Sequence, residues 1–175
     1  RRQEYDYGLI DENFELNFPL FKLRIERGEG SKYCHKSCGG VYTIITPRDI
    51  NFDNPCAREY IIYIGIKLLE KAAEEYLPQR VAQIAAQTGL YYSRCKIVSK
   101  RWGIYYRNSG VVKLSYYLMK CTEEFVDAVI LHELVHSLCP NHDSRFYDTL
   151  LRYGGQRVVD VDRGNIGANG RVELL

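Results

Sequence analysis

The chain has 175 residues, of which 46% are hydrophobic and 26% charged, and its formal net charge is +2. These values are typical of a soluble globular protein and exclude a low-complexity or strongly charged disordered chain. No apolar run approaches the roughly 20 residues that span a bilayer, so we expect a single domain over residues 1–175 and no membrane partner.

The predicted elements begin with two strands. Residues 1–19 show no clear hydrophobic period and predict a loose arm. Residues 20–27 alternate between apolar and polar side chains, which predicts a strand with one buried face. Residues 41–46 are mostly β-branched and predict a second strand, which ends at Pro47.

A long helix is predicted to follow these strands. It should begin at Asn54, because Pro55 suits the first helical position, where no backbone N–H is needed. Pro78 is predicted to break the helix, since proline removes one helical hydrogen bond and clashes with the preceding turn. A second helix then covers residues 79–88 and ends at Gly89.

The rest of the chain predicts strands, two helices and a tail. The three strands cover residues 95–99, 104–106 and 111–115. A central, mostly apolar helix begins after Thr122, which is a natural N-cap. A last helix covers residues 144–153 and ends at Gly154-Gly155. Residues 156–175 predict a mobile tail, in which residues 158–161 add a short strand.

Six cysteines are scattered along the chain, and no secretion signal precedes them. We therefore expect reduced thiols in a cytoplasmic protein. Cys34 and Cys38 flank a histidine and have the chemistry for a second metal site, but apart from Cys56 nothing completes a tetrahedral set, so we favour ordinary hairpin-edge residues. The chain begins at Arg1 rather than Met, and we expect that residues upstream have been removed.

The most informative segment is residues 132–142, which contains three of the chain's four histidines. His132 and His136 are four residues apart on the predicted helix, so both side chains lie on one face and can reach one metal ion. A helix stop at Pro140 lets the chain fold back, so that His142 can provide a third nitrogen ligand. Three protein ligands leave a fourth position for water, which is typical of a catalytic zinc site.

Glu133 follows His132 directly and lies about 100° around the helix, so it can reach the edge of the same site without binding the ion. A zinc ion lowers the pKa of its bound water to about 7, and Glu133 would take the water's proton and pass it to a leaving amine. The pattern therefore predicts a zinc-dependent peptidase with one ion and Glu133 as general acid and base. A buried core helix with two satisfied histidines is the alternative, but adjacent His and Glu are costly in a core without partners.

This segment and its surroundings resemble the YgjP-like metallopeptidases, whose site is similar to that of the SprT-like proteases. The resemblance is carried by Lys100-Arg101-Trp102-Gly103, by Val111-Val112-Lys113-Leu114-Ser115, by residues 125–136 and by Asn141-His142-Asp143-Ser144-Arg145-Phe146. It implies a minimal zincin-like fold, a zinc ion bound by His132, His136 and His142, catalysis by Glu133 and a peptide or protein substrate.

The chain departs from the family pattern on both sides of the histidines. Ile104-Tyr105 stands where the family has Ser-Cys, Ser115 where it usually has Asn, and Asp143-Ser144 where it has Ser-Pro. The three histidines are unchanged. The altered residues lie mainly on strands that we expect to border a substrate cleft.

Charge is unevenly distributed along the chain. No Asp or Glu occurs from Tyr76 to Thr122, whereas this stretch contains eight basic residues interleaved with tyrosines and Trp102. Such a pattern can bind single-stranded nucleic acid through phosphate attraction and base stacking. The alternative, which the sequence favours, is that carboxylates from the N-terminal half or from the region of Glu74-Glu75 pair with these charges, and that the tyrosines are strand residues.

Together these patterns predict an α+β fold in which a small, mostly antiparallel sheet packs on the helix that carries the histidines. Residues 111–115 are expected at the sheet edge, where an extended peptide could add by main-chain hydrogen bonds. A non-catalytic, zinc-containing module that binds protein or nucleic acid is the rival hypothesis.

Several further side chains are assigned provisional roles. Tyr105, Tyr116 and Tyr153 are candidates to stabilise an oxyanion, and Asp127 and Asp143 are candidates to orient a ligating imidazole. Trp102 is expected to pack the strands onto the central helix, and Phe146 is expected to be a core anchor.

Overall fold

The computed structural model describes residues 8–100 and 102–164. These residues contain helices and two small mixed sheets, which confirms the predicted α+β class. The contacts divide the chain into two compact units. The first contains the described residues up to Asn17 together with Phe21–Leu68, and the second contains Phe18–Leu20 and the described residues from Leu69 onward. The single-domain organisation stays a prediction.

The first unit is built on four strands. They are β1 (Glu15–Asn17), β2 (Lys22–Arg27), β3 (Cys34–Cys38) and β4 (Val41–Thr46). Their order in the sheet is β1-β2-β4-β3, with β2 and β4 parallel and the two outer pairs antiparallel. Leu23, Ile25 and Ile44 are buried, so the alternation in β2 places one face of the strand in the core.

The strand predictions succeeded for the two inner strands of this sheet. β4 has the predicted bounds, and β2 begins two residues after the predicted start. The prediction of a loose arm is wrong for Glu15–Asn17, because this segment pairs with β2. Residues 1–7 of the predicted arm lie outside the described residues. A strand of three residues is too short to show a hydrophobic period in the sequence, so β1 is recognised only by its pairing with β2.

The helix α1 (Pro55–Thr88) continues through Pro78, so the predicted break is wrong. A proline inside a helix removes one main-chain hydrogen bond. Leu77 and Val81, on either side of Pro78, are both completely buried, and this packing holds the two halves in one helix. The predicted start is confirmed, with the Asn54 side chain accepting a hydrogen bond from the Cys56 N–H at 3.0 Å.

The second unit contains a three-stranded sheet. Its strands are β5 (Arg94–Val98), β6 (Gly103–Tyr106) and β7 (Val111–Ser115), in the order β5-β7-β6. β7 pairs in parallel with β5 and antiparallel with β6, so it is the central strand. The prediction that residues 111–115 form the edge is therefore wrong. Complete burial of Val112 and Leu114 fits the central position of β7.

Two more helices follow the second sheet. In α2 (Glu123–Val135), the Thr122 side chain accepts a hydrogen bond from the Phe125 N–H at 3.2 Å, which confirms the predicted N-cap. Val126, Ile130 and Leu134 are completely buried, so α2 is central as predicted. Within residues 8–100 and 102–164, none of the helices combines the length and the sustained apolar character that a bilayer span requires.

The helix α3 (Ser144–Asp162) is longer than predicted. Gly155 has φ of 81° and interrupts the helical backbone, but the chain resumes a helical path after it. The prediction of a mobile tail is therefore wrong for residues 156–162, and the short strand predicted at residues 158–161 is wrong because these residues are helical. Residues 165–175 of the predicted tail lie outside the described residues. Val159 and Val161 are buried, so tertiary packing continues the helix beyond a glycine pair that would normally end it.

Candidate metal centre

The helix α2 and the turn that follows it carry the first two histidines. His132 lies in the last turn of α2, and His136 is its C-cap, with helical φ and ψ of −62° and −15°. The backbone therefore keeps the helical spacing between them although α2 ends at Val135. The predicted stop near Pro140 lies beyond the observed helix end, because the residues after His136 form a turn instead.

The start of α3 positions the third histidine. The Asp143 side chain accepts a hydrogen bond from the Phe146 N–H at 3.1 Å and caps α3. His142 immediately precedes this cap, and its Nε2 lies 3.0 Å from the Nε2 of His132 and 3.0 Å from the Nε2 of His136. The fold thus brings together the three imidazoles that the sequence singled out.

The side chain of Phe146 packs beneath this cluster. It is completely buried, and its ring centroid lies 4.7, 4.9 and 5.0 Å from the rings of His132, His136 and His142. The prediction that Phe146 is a core anchor is confirmed. An aromatic floor of this kind limits the rotation of the three imidazoles.

Hydrogen bonds at the other ring nitrogen orient two of the imidazoles. The Nδ1 of His132 lies 2.7 Å from Oδ1 of Asp162, and the Nδ1 of His136 lies 2.9 Å from the main-chain oxygen of Cys139. Carboxylate and carbonyl oxygens only accept hydrogen bonds, so both Nδ1 atoms carry the proton. The neutral rings then present lone pairs at Nε2, toward one another.

This arrangement fits a metal ion. Two Nε2 lone pairs face the Nε2 of His142, which has at most one proton to share between them. A tetrahedral zinc site with Zn–N bonds of about 2.0–2.1 Å separates its nitrogens by about 3.3 Å. The two distances to His142 are close to this value, and all three ligand nitrogens lie within 4.8 Å of one another. Among the described residues, these three histidines form the group that can hold a metal ion.

The pKa values of the histidines differ. Burial lowers the pKa of His132, but the hydrogen bond and charge of Asp162, helped by Glu133, outweigh burial and raise it overall. The pKa of His136 is lowered, mainly by burial and also by the neighbouring imidazoles. Metal ligation requires neutral imidazole, so an ion at His132 would compete with a proton.

Glu133 is buried between α2 and β6, with 7% of its surface exposed. A Cβ atom built on Gly103 would lie 2.8 Å from Cγ of Glu133, so only glycine permits this approach of β6. Burial raises the pKa of Glu133 to about 7; Asp162 also raises it, whereas His132 and a hydrogen bond from the Tyr105 N–H lower it. A carboxyl group with this pKa can take up and release a proton near neutral pH.

An open cleft of about 440 Å³ lies over the histidines. It is lined by Gly103, Ile104, Tyr105, Arg107, His132, Glu133, His136, Pro140 and His142. The edge strand β6 therefore forms one wall, and the three imidazoles with Glu133 form the floor. Arg107 was not predicted as a site residue, although it belongs to the basic stretch of the sequence.

The tyrosines suggested for oxyanion stabilisation lie in different places. Tyr105 lines the cleft, but its hydroxyl donates a hydrogen bond to the main-chain oxygen of Tyr91 at 3.1 Å. Tyr116 and Tyr153 are not among the described residues that line this cleft. None of the three has a geometry that assigns it this role.

The two aspartates suggested for orienting an imidazole make other contacts. Asp127 forms a two-pronged ion pair with Arg80, with both N···O distances 2.7 Å, and Asp143 caps α3. Asp162 instead forms the hydrogen bond that orients an imidazole, that of His132. It was missed because it lies 30 residues beyond His132 in a segment predicted to be mobile.

Trp102 packs as predicted, and Cys34 and Cys38 lie too far apart along β3 to share a metal ion. Trp102 packs edge-to-face against Phe125 of α2 at 5.4 Å, which confirms its predicted packing role. Cys34 and Cys38 lie on β3, where residues four apart are separated by about 13 Å along a strand. That distance is too long for both thiols to bind one ion while β3 keeps its pairing with β4.

Comparisons with known proteins identify the kind of domain. A family model described as YgjP-like, metallopeptidase domain matches residues 44–156, which is more than half of the chain. No curated protein and no solved structure matches the chain. The match includes the three histidines and Glu133, whereas Asp162 lies outside it.

Proposed function

The chain belongs to the YgjP-like metallopeptidase family, and from this membership we propose that it is a zinc-dependent peptidase acting on peptides or proteins. One observation carries the proposal: three imidazole Nε2 atoms converge beside a buried glutamate at the floor of an open cleft. Such convergence of neutral nitrogen donors, with room for water, is typical of catalytic zinc sites.

We assign one zinc ion to His132, His136 and His142. Imidazole nitrogens suit zinc, and the hydrogen bonds of His132 and His136 at Nδ1 leave Nε2 for the ion. When bound, zinc supplies Lewis-acid polarisation of a substrate carbonyl and lowers the pKa of water. We favour zinc over other divalent ions because all three proposed ligands are imidazole nitrogens.

Glu133 is the proposed general base and acid. Its carboxylate would take a proton from the attacking water and deliver it to the nitrogen of the leaving amine. Burial, which raises its pKa to about 7, favours this exchange of a proton, and the Tyr105 N–H holds the carboxylate against β6. The neighbouring Gly103 allows the carboxylate to reach the cleft from beneath the strand.

The proposed substrate lies along β6. This strand is an edge of its sheet and lines the cleft, so its outer main-chain groups can pair with an extended peptide, apart from the Tyr105 N–H, which donates to Glu133. Arg107, at the end of β6, also lines the cleft and can attract a substrate carbonyl or carboxylate. This proposal moves the docking strand from β7, which the sequence favoured, to β6.

Replacing Glu133 tests the assignment. We expect Glu133→Gln to bind zinc as the unchanged protein does, and to lose about 10²–10⁴-fold in kcat on a peptide library, because the amide cannot accept the proton. Zinc content and hydrolysis would be measured on the same sample. Glu74→Gln, an exposed change on α1, is the matched control and should leave both unchanged.

Two outcomes would contradict the proposal. Full hydrolysis by zinc-loaded Glu133→Gln removes the role of Glu133. If the unchanged protein binds zinc stoichiometrically but cleaves no peptide, with or without chelator, the rival hypothesis of a non-catalytic binding module is favoured instead.

A further inference from the structure

The sheet of the second unit has one open face. Its strand register places Lys96, Lys113 and Ile104 in one row across β5, β7 and β6. The next row on the same face contains Arg94, Val111 and Tyr106. Partners in register share a face of the sheet, and so do residues two apart along a strand.

The other face of this sheet belongs to the core. It includes Val112 and Leu114, which are completely buried, whereas Arg94 and Lys96 are exposed. The first face is therefore open to solvent at Arg94, Lys96 and Tyr106, and Lys113 between them is half-buried. We call it the basic face and define it by Arg94, Lys96, Tyr106 and Lys113.

Positive charge on the basic face is not neutralised within the described part of the chain. Lys96 and Lys113 are register partners, and like charges on neighbouring strands repel. No carboxylate of residues 8–100 and 102–164 lies at ion-pair distance from Arg94, Lys96 or Lys113. Arg80, in the same basic stretch, pairs with Asp127, which lies in neither of the regions from which the sequence predicted neutralising carboxylates.

Exposed aromatic rings accompany these charges. Tyr106 is 41% exposed, and the Lys113 Nζ lies 4.8 Å from its ring centroid. Tyr91 is 65% exposed and lies against the turn between β6 and β7, where a Cβ atom on Gly110 would be 2.7 Å from its ring. Flat rings beside cations can stack on bases while the cations contact phosphates.

We propose that the basic face binds single-stranded nucleic acid. Its lysines and arginine complement a phosphate backbone, and the exposed rings of Tyr106 and of the neighbouring Tyr91 provide surfaces for unpaired bases. An acidic peptide would satisfy the charges but would give the exposed rings no planar partner, and duplex bases are already stacked. The proposal does not depend on zinc or on peptide hydrolysis.

Fluorescence anisotropy of a labelled oligothymidylate tests the proposal. For a strand of about 16 nucleotides, we expect binding that weakens with salt, with log K falling by about 0.7 per log unit of salt for each phosphate contact. Lys96→Gln combined with Lys113→Gln should weaken binding at least about 10-fold at low salt and reduce the slope by about 1.4. Tyr106→Leu should weaken it roughly 10-fold and leave the slope unchanged.

The matched control removes two exposed lysines outside the basic face. Lys32→Gln combined with Lys71→Gln changes the net charge by the same amount, and we expect it to alter binding less than two-fold. Thermal melting and zinc content of every variant verify that the fold is intact. Peptide hydrolysis should be the same in the unchanged protein and in both double-lysine variants, whose substitutions lie outside β6, so a failure of this proposal is distinguishable from a failure of the proposed function.

Any of four results would overturn the proposal. The first is that the unchanged protein does not bind the oligonucleotide even at low salt, and the second is that the control pair weakens binding as much as the Lys96 and Lys113 pair. The third is that a duplex of equal length binds more tightly than the single strand. The fourth is that polyglutamate, used as competitor, binds more tightly, which would identify an acidic protein as the partner.

Discussion

At the scale of single residues, the candidate site depends on hydrogen bonds that lie behind the histidines. Asp162 approaches His132 from the C-terminal part of α3, and the main-chain oxygen of Cys139 holds His136. These contacts select the tautomer that leaves Nε2 for an ion. A carboxylate also strengthens the imidazole as a ligand, so Asp162 has both a geometric and an electrostatic effect.

Changing Asp162 separates these two effects. We expect Asp162→Ala to weaken zinc binding about 10–100-fold, and Asp162→Asn to weaken it less, because the amide oxygen still accepts from Nδ1 without the negative charge. Competition with a chromogenic chelator measures the affinity. Asp148→Asn, an exposed change on α3, should have no effect. Zinc affinity of Asp162→Ala equal to that of the unchanged protein would rule out this role.

At the scale of secondary structure, the site is a contact between a helix and an edge strand. β6 approaches α2 closely enough that Glu133 fills the space where a side chain at position 103 would be. α3 continues past Gly155 and brings Asp162 to the Nδ1 of His132. Both contacts join residues that are far apart in sequence, and the approach of β6 depends on Gly103.

The approach of β6 can be tested with a single methyl group. Gly103→Ala places a Cβ 2.8 Å from Cγ of Glu133, so either the strand or the glutamate must move. We expect a loss of about 1–3 kcal/mol in the free energy of unfolding, measured with urea, and at least a 10-fold fall in kcat.

Gly30→Ala is the control for this change, because a Cβ there meets nothing within 4 Å. It should alter neither stability nor hydrolysis appreciably. If Gly103→Ala behaved like Gly30→Ala in both measurements, the close approach of β6 to Glu133 would be shown to affect neither stability nor hydrolysis.

At the scale of the whole molecule, a metal ion would tie together parts of the second unit. Two of its ligands belong to α2 and the following turn, and His142 precedes α3. An ion that binds only the folded arrangement stabilises it by mass action. Metal binding should therefore appear in the thermal stability of the protein as well as in its activity.

Metal removal provides the corresponding test. At a free zinc concentration of about 100 Kd, binding contributes about 2.7 kcal/mol, which should raise Tm by roughly 5–10 °C. Scanning fluorimetry with zinc, with EDTA and after zinc is restored measures the shift. His142→Ala should show a much smaller shift, whereas equal Tm values for zinc-loaded and metal-free protein would contradict ligation by the folded chain.

The sequence by itself determined the parts of this protein that depend on local geometry. The helical spacing of His132 and His136 and the position of Glu133 beside them follow from a period of 3.6 residues. The Thr122 cap follows from a hydroxyl that can accept a hydrogen bond from the first turn. The alternation in β2 and the β-branched run in β4 are local in the same sense. The family assignment also rests on sequence, since its motifs surround the histidines.

Only the tertiary structure decided the features that join distant residues. The break expected at Pro78 and the helix end expected at Gly154-Gly155 were overridden by burial of neighbouring side chains, because packing outweighs the local preference of one or two residues. The central position of β7 and the contact of Asp162 with His132 depend on pairing and packing over long sequence separations. No period along the chain encodes such contacts, so they become visible only when the chain is folded.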